Sequence, residues 1–349
     1  MKKYFCFIAF LFTTISTLAQ TQGAQVYVAP FCHDAEGAYT LIHDDFGASY
    51  ARGIEEYIDT MNYNRKLPIC FAAITGECDQ QDWTRAKEMI GHGHQILNHS
   101  MTHKCGQVQS WCTFGNWNEK DFTTEIDKST ELIVKNTGKH PAFFVFPFDM
   151  FTDTMLNYLE VKHYIGARAG KQNTLNSPVL SDPFLTNFTV FRPGEPVSVL
   201  NDMADKAIQS KSWAVRVMHG IEDDSWAHIT AEEYATHLNY LQAQVKKNKL
   251  WMATLSDVVT YQYNKEAAVI KVAEQNKDGL PTKIIIELKN IKFPTGDLMS
   301  HDILTIVMKQ LKVIPKTISQ SQLYIPFEIR DDKVIFDINL PVNEIVLTY

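Results

Sequence analysis

Two carboxylates side by side, Asp44 and Asp45, close the apolar run Thr40-Leu41-Ile42-His43, and no lysine or arginine stands beside them in sequence. Like charges this close resist joint ionisation unless a cation relieves them. Further along, the segment Gly93-His94-Gln95-Ile96-Leu97-Asn98-His99-Ser100-Met101-Thr102-His103 carries a His-x-x-x-His spacing. Side chains four apart share one face of a helical turn, so His99 and His103 are expected to grip one borderline-soft ion such as zinc. A carboxylate from the Asp pair completes a His/His/Asp set with positions left for water and substrate, as a catalytic metal requires. A third group, His219, ends the late run Val215-Arg216-Val217-Met218 and precedes Glu222, Asp223, Asp224 and Trp226. A lone histidine after a strand is more often a packed bystander, but this one falls where the other two clusters would also point.

These groups need strands to carry them. From about residue 38 to 262, short apolar runs alternate with amphipathic segments. The runs 38–42, 69–73, 95–98, 143–146, 164–167, 190–192, 214–218 and 251–254 are predicted strands. Helical spacing falls at 49–62, 82–90, 121–136, 152–160, 198–210, 231–248 and 255–264, with Asp82, Asp121 and Thr230 as expected caps. This alternation predicts parallel β/α units in a barrel or open sheet, folds that collect reactive side chains at strand ends. After about residue 266, strand-type alternation punctuated by Asp278-Gly279, Pro294-Thr295-Gly296 and Asp331-Asp332 predicts a small β-sandwich. The expected division is a leader at 1–19, a β/α body at 20–265 and the sandwich at 266–349.

Composition narrows the class. The 349 residues are 45% apolar and 11% aromatic, which excludes disorder, collagen and coiled coil as descriptions of the whole. A net charge of -7 without any basic run argues against a nucleic-acid partner. Met1-Lys2-Lys3, the apolar stretch Tyr4 to Leu18 and the small residues Thr17 and Ala19 read as a cleavable signal, so the protein is expected to be secreted or periplasmic. No later stretch is apolar enough to span a bilayer. In an oxidising compartment Cys70 with Cys78, or Cys105 with Cys112, would close short loops, and Cys32 completes an odd set of five. No G-x-S-x-G elbow is present for a serine hydrolase.

Taken in order, the three segments resemble the polysaccharide deacetylases with the NodB homology domain, carbohydrate esterase family four. Asp44-Asp45 is similar to the first motif and His99-Ser100-x-x-His103 to the second. Phe146-Pro147-Phe148 resembles the third, and Val217-Met218-His219 the last. The resemblance runs from about 36 to 262 and implies a distorted (β/α) barrel with a divalent metal, usually zinc, held by Asp45, His99 and His103. It implies Asp44 as general base and His219 as general acid in removing acetyl groups from an acetylated carbohydrate, N-acetyl amino sugar or O-acetyl polysaccharide. Pro147, Phe148 and Trp226 are the expected substrate contacts, with Trp111 and Trp117 as further aromatic candidates. The sequence departs from the pattern where an arginine commonly orients the base: Val145 stands there, and Asp149 replaces a glycine. Arg168, Arg192 and Arg216 are candidates to supply that charge. A glycan-binding protein that keeps the fold with impaired catalysis is the alternative expectation.

Overall fold

In the computed structural model the described residues are 19–20, 24–106, 117–179, 181–289, 302–341 and 344–349. Most of the expected leader and Trp111 therefore lie outside them. The described strands begin with β1 (Ala19–Gln20), β2 (Gln25–Val28), β3 (Gly37–Phe46), β4 (Cys70–Ala73), β5 (Gln95–Asn98) and β6 (Phe143–Val145). They continue with β7 (Gly166–Arg168), β8 (Thr189–Val190), β9 (Trp213–Met218), β10 (Leu250–Met252), β11 (Ala268–Gln275) and β12 (Pro281–Leu288). The last are β13 (Ile303–Lys309), β14 (Thr317–Gln320), β15 (Leu323–Tyr324), β16 (Phe327–Arg330), β17 (Lys333–Asn339) and β18 (Ile345–Thr348).

The strands β3 to β10 form one parallel sheet in the order β7-β6-β5-β4-β3-β9-β8, with β10 paired to the first residues of β3. A single bridge between Gln172 and Phe188, just past β7 and just before β8, links the two edges, so the sheet curls into a distorted (β/α) barrel. All ten residues of β3 are buried, as a strand flanked on both sides and covered by helices must be. Parallel pairing aligns every carboxyl end on one rim, and there β3 delivers Asp44 and Asp45, β7 Arg168, and β9 the residue before His219.

Local chemistry sets the helix starts, in part differently from the expectation. The helix Gln80–Gly91 is capped by Asp79, whose carboxylate accepts from the backbone of Gln81 and Asp82. Asp82 instead answers from the third position, completing a capping box. Asn118 and Asp121 repeat this arrangement ahead of the helix Glu119–Phe122, while Thr230 caps Ala231–Lys246 as expected. Reading the acidic residue nearest the apolar run picks the third member of each box, because both members are short polar residues.

The remaining strands make two five-stranded antiparallel sheets, β1-β2-β13-β17-β16 and β11-β12-β18-β14-β15. This is the expected sandwich with one addition from the other end of the chain. Gln25–Val28, expected within the β/α body, pairs with β13 from Ile306↔Val28 to Lys309↔Gln25. A cut between Ala19 and Gln20 would divide β1. One apolar cluster runs through both units, from Ile42, Leu97, Phe143 and Val217 of the barrel through Val258 and Tyr261 to Ile270, Ile306 and Phe336. Cys32, Cys70 and Cys78 carry thiols, so the Cys70–Cys78 bridge does not form, whereas Cys105 is disulfide-bonded. No helix among the described residues is long and apolar enough to cross a membrane.

Candidate active site

The carboxyl rim of the barrel opens into a cleft of about 630 Å³ whose wall includes Asp44, Asp45, His99, His103, Arg168 and His219. All the expected catalytic and metal-ligating residues meet there. Asp45 Oδ1 lies 3.5 Å from His99 Nε2 and 3.6 Å from His103 Nε2. Two ligands each about 2.1 Å from a tetrahedral zinc lie about 3.4 Å apart, so this spacing leaves a seat for one ion. Asp45 Oδ1 is buried and makes no hydrogen bond, an acceptor that the protein itself leaves unanswered. His99 Nδ1–H donates to the Val145 carbonyl at 2.8 Å, which fixes the tautomer and aims the Nε2 lone pair at Asp45. The donor set and its second contacts fit a divalent cation of zinc character.

The two histidines converge by a route the spacing did not foretell. Residues 99–103 are not helical, and the backbone instead bends through positive φ at Ser100 and His103. The Ser100 N–H donates to Asn98 Oδ1 at 2.8 Å and the His103 N–H to Ser100 Oγ at 3.0 Å. Asn and Ser offer the chain such local bonds in place of a helix. Asn98 thus has a positioning role at the end of β5.

Asp44 is turned away from the ion seat toward Arg168. The guanidinium donates to both its oxygens at 2.8 Å, and Nη2 also reaches Asp149 Oδ1 at 2.8 Å. Burial alone would raise the Asp44 carboxyl, but Arg168 and His99 outweigh it and hold it below the usual carboxylate range. The positive charge missing from the Val145 position is therefore supplied by β7. Arg192 lines the cleft beside Gln172, and Arg216 is engaged by Glu195 and the Phe191 ring, so neither reaches the base. Asp149, a departure from the family pattern, is the second anchor of the same fork.

His219 faces the pair from β9, its Nε2 3.9 Å from Asp45 Oδ2 and its Nδ1 buried with no hydrogen-bond partner. Its backbone carbonyl accepts from His43 Nδ1–H, and His43 Nε2 in turn accepts from the Tyr234 hydroxyl at 3.0 Å. Burial pushes His43 down to about 4, so it stays neutral and keeps this chain of bonds intact. His43 was absent from the expected site, and its only sequence signal was an imidazole inside an apolar strand.

Of the expected substrate contacts, Phe148 and Trp226 line the cleft and are 45% and 49% exposed, large values for such rings. Phe148 leans on His103 at 4.6 Å and Trp226 meets His219 edge-on at 5.2 Å. Pro147 is a correction: it is buried and does not line the cleft, because the turn at Pro147–Asp149 points Phe148 outward and its proline inward. Trp117 is also core, packed edge-on against Phe122 and Phe144.

Residues 37–165 match the family model for polysaccharide deacetylase, a stretch that holds the first three motifs and ends before Val217-Met218-His219. No curated protein matches the chain. Similar solved structures include the Xyl-CE4 domain of a multidomain xylanase from the hindgut metagenome of Trinervitermes trinervoides, at 15% identity over 64% of this chain and 89% of that one, with a TM-score of 0.44. A family 4 acetyl xylan esterase from Clostridium thermocellum in complex with a cobalt ion is 14% identical over 64% and 90%, with a TM-score of 0.41. BA3943, a CE4 family pseudoenzyme from Bacillus anthracis, is 11% identical over 65% and 66%, also at 0.41.

Proposed function

We propose that this protein is an exported, metal-dependent hydrolase that removes acetyl groups from an acetylated carbohydrate. The observation that carries the reading is the convergence of an unanswered Asp45 oxygen with two imidazoles, 3.5 and 3.6 Å away, beside a carboxylate held ionised by Arg168. Asp45, His99 and His103 would hold a divalent ion, zinc by ligand type, which when bound supplies Lewis acidity and lowers the pKa of water. Asp44 takes the proton of the attacking water, because the Arg168 fork keeps it ionised and aims its oxygens. His219, at the end of the neighbouring strand β9, donates a proton to the departing sugar nitrogen or oxygen. Phe148 and Trp226 offer apolar faces on which a pyranose ring can lie.

The alternative of an inactive glycan-binding protein drew its support from the altered third motif. Arg168, anchored on its other side by Asp149, supplies the positive charge that the Val145 position lacks, which weighs against that alternative. The test is acetate release by the zinc-loaded protein from chitin-type, peptidoglycan-type and xylan-type substrates. Release from one class, lost in Asp44→Asn with the metal retained and lost in His99→Ala or His103→Ala together with the metal, is the expected result. A metal-loaded protein that frees no acetate from any of them would sink this reading in favour of binding alone.

A further inference from the structure

At the opposite end of β3 from the cleft, Cys32, His33 and Asp337 place a sulfur, a ring nitrogen and a carboxylate oxygen within 4.8 Å of one another. From Gly37 to Asp45 β3 runs roughly 26 Å at about 3.3 Å per residue, so this cluster is separate from the barrel site. Its members come from distant parts of the chain: the turn after β2 and the strand β17 of the appended sheet. His33 Nδ1 is 2.6 Å from Asp337 Oδ2, and the other Asp337 oxygen accepts from Thr305 Oγ1, its cross-strand neighbour on β13. Thr305 Oγ1 also accepts the His33 N–H at 2.7 Å. Side chain and backbone of His33 are thus tied to one carboxylate–hydroxyl pair.

His33 and Asp34 both have positive φ, at 57° and 51°, in a region that residues with a Cβ avoid. Such strain persists only where surroundings over-determine it. Here Arg330 donates to the carbonyls of His33 and Asp34, and Lys333 pairs with the Asp34 carboxylate at 2.6 Å. Arg330 and Lys333 are each paired with a carboxylate, Glu328 and Asp34. Beside the cluster lies a cavity of about 280 Å³ in whose lining His33, Asn248, Glu328 and Asp337 alternate with apolar residues such as Phe327 and Ile335.

We propose that Cys32, His33 and Asp337 form a second divalent-metal site, selective for a zinc-like ion, that clamps the N-terminal turn onto the appended sheet. A thiolate with an imidazole selects zinc over magnesium or calcium. Three protein ligands leave a fourth position toward the cavity. On binding, the ion forms bonds to Sγ, a His33 ring nitrogen and an Asp337 oxygen; the Cys32 thiol proton and the proton shared by His33 and Asp337 leave to solvent.

Cobalt(II) separates this site from the barrel site, which contains no sulfur. Titrating the metal-free full-length protein with Co²⁺ is expected to raise a near-ultraviolet thiolate-to-cobalt charge-transfer band that is complete once both sites are filled. That band should vanish in Cys32→Ser and persist in His103→Ala. Should Cys32→Ser fail to fold, His33→Asn, at a side chain 58% exposed, is expected to lower the bound-metal count by one while leaving acetate release intact. A wild-type protein without the band, or a band that survives in Cys32→Ser, overturns the proposal; loss of acetate release alone bears on the barrel site instead.

Discussion

The fork between Arg168 and Asp44 is the contact on which the base depends. Lysine at 168 keeps the charge but not two parallel N–H bonds, so Arg168→Lys is expected to lower kcat by about 10²-fold while metal content is unchanged. Because Arg168 holds the Asp44 carboxyl down, the acid limb of the kcat profile should move to higher pH in this variant; an unmoved limb would remove Arg168 from its positioning role. A second residue-scale effect is on stability. Burial, aided by the charge of Arg216, pushes His237 from 6.5 down to about 3, and its Nδ1–H donates to Asn201 at 2.8 Å. Above pH 6.5 both folded and unfolded chains carry it neutral. Below that, only the unfolded chain takes up the proton, so stability falls as pH drops from 6.5 toward 3, by about 2 kcal/mol at pH 5. Urea midpoints of His237→Gln should show a flatter fall over this range, and equal slopes would assign the acid sensitivity elsewhere. The residues with local spacing, Asp44, Asp45, His99, His103 and His219, were legible in the sequence. The choice of Arg168 among three arginines was not, because it pairs with a residue 124 positions away and such pairs leave no periodic trace.

At the level of elements, alternation was enough to locate the eight barrel strands to within a few residues, since a buried parallel strand is a plain apolar run. Turns were harder. The His99–His103 bend depends on Asn98 and Ser100 side chains bonding to backbone, and a spacing of four suits that bend as well as a helix. The loop after β9 is similar. Gly220 N–H donates to Ser225 Oγ at 2.7 Å, and Ser225 Oγ donates to Asp223 Oδ1 at 2.6 Å. A Cβ on Gly220 would stand 1.9 Å from Asp223 Oδ2, so the loop carrying Trp226 must shift. Gly220→Ala is expected to cost about 1–3 kcal/mol and, by moving His219 and Trp226, to lower kcat more than ten-fold with the metal retained. Wild-type kcat together with a lowered melting point would show that the loop is structural only.

For the whole molecule, one apolar cluster crossing from Ile42 and Val217 to Ile306 and Phe336 makes the barrel and the sheets a single packing unit. Calorimetry should therefore show one cooperative unfolding transition in the full-length protein, with calorimetric and van't Hoff enthalpies in agreement. Two resolved transitions would mean that the shared core is weaker than its burial suggests. The antiparallel character of the appended region was visible from period-two alternation after residue 266, whereas the recruitment of β2 was not, because four residues of modest alternation carry no sign of their partner.

That recruitment orders events during biosynthesis. Gln25–Val28 leaves the ribosome long before its neighbour Ile303–Lys309. At about 5–20 residues per second, the nascent β2 waits on the order of 14 to 56 s for a sheet to join. Closing so long a loop is entropically mild but late, because this strand addition must wait until residues 303–309 have emerged. A chain stalled or clipped before residue 303 would display β2 with unsatisfied backbone groups, marking it for chaperones and proteases as unfinished.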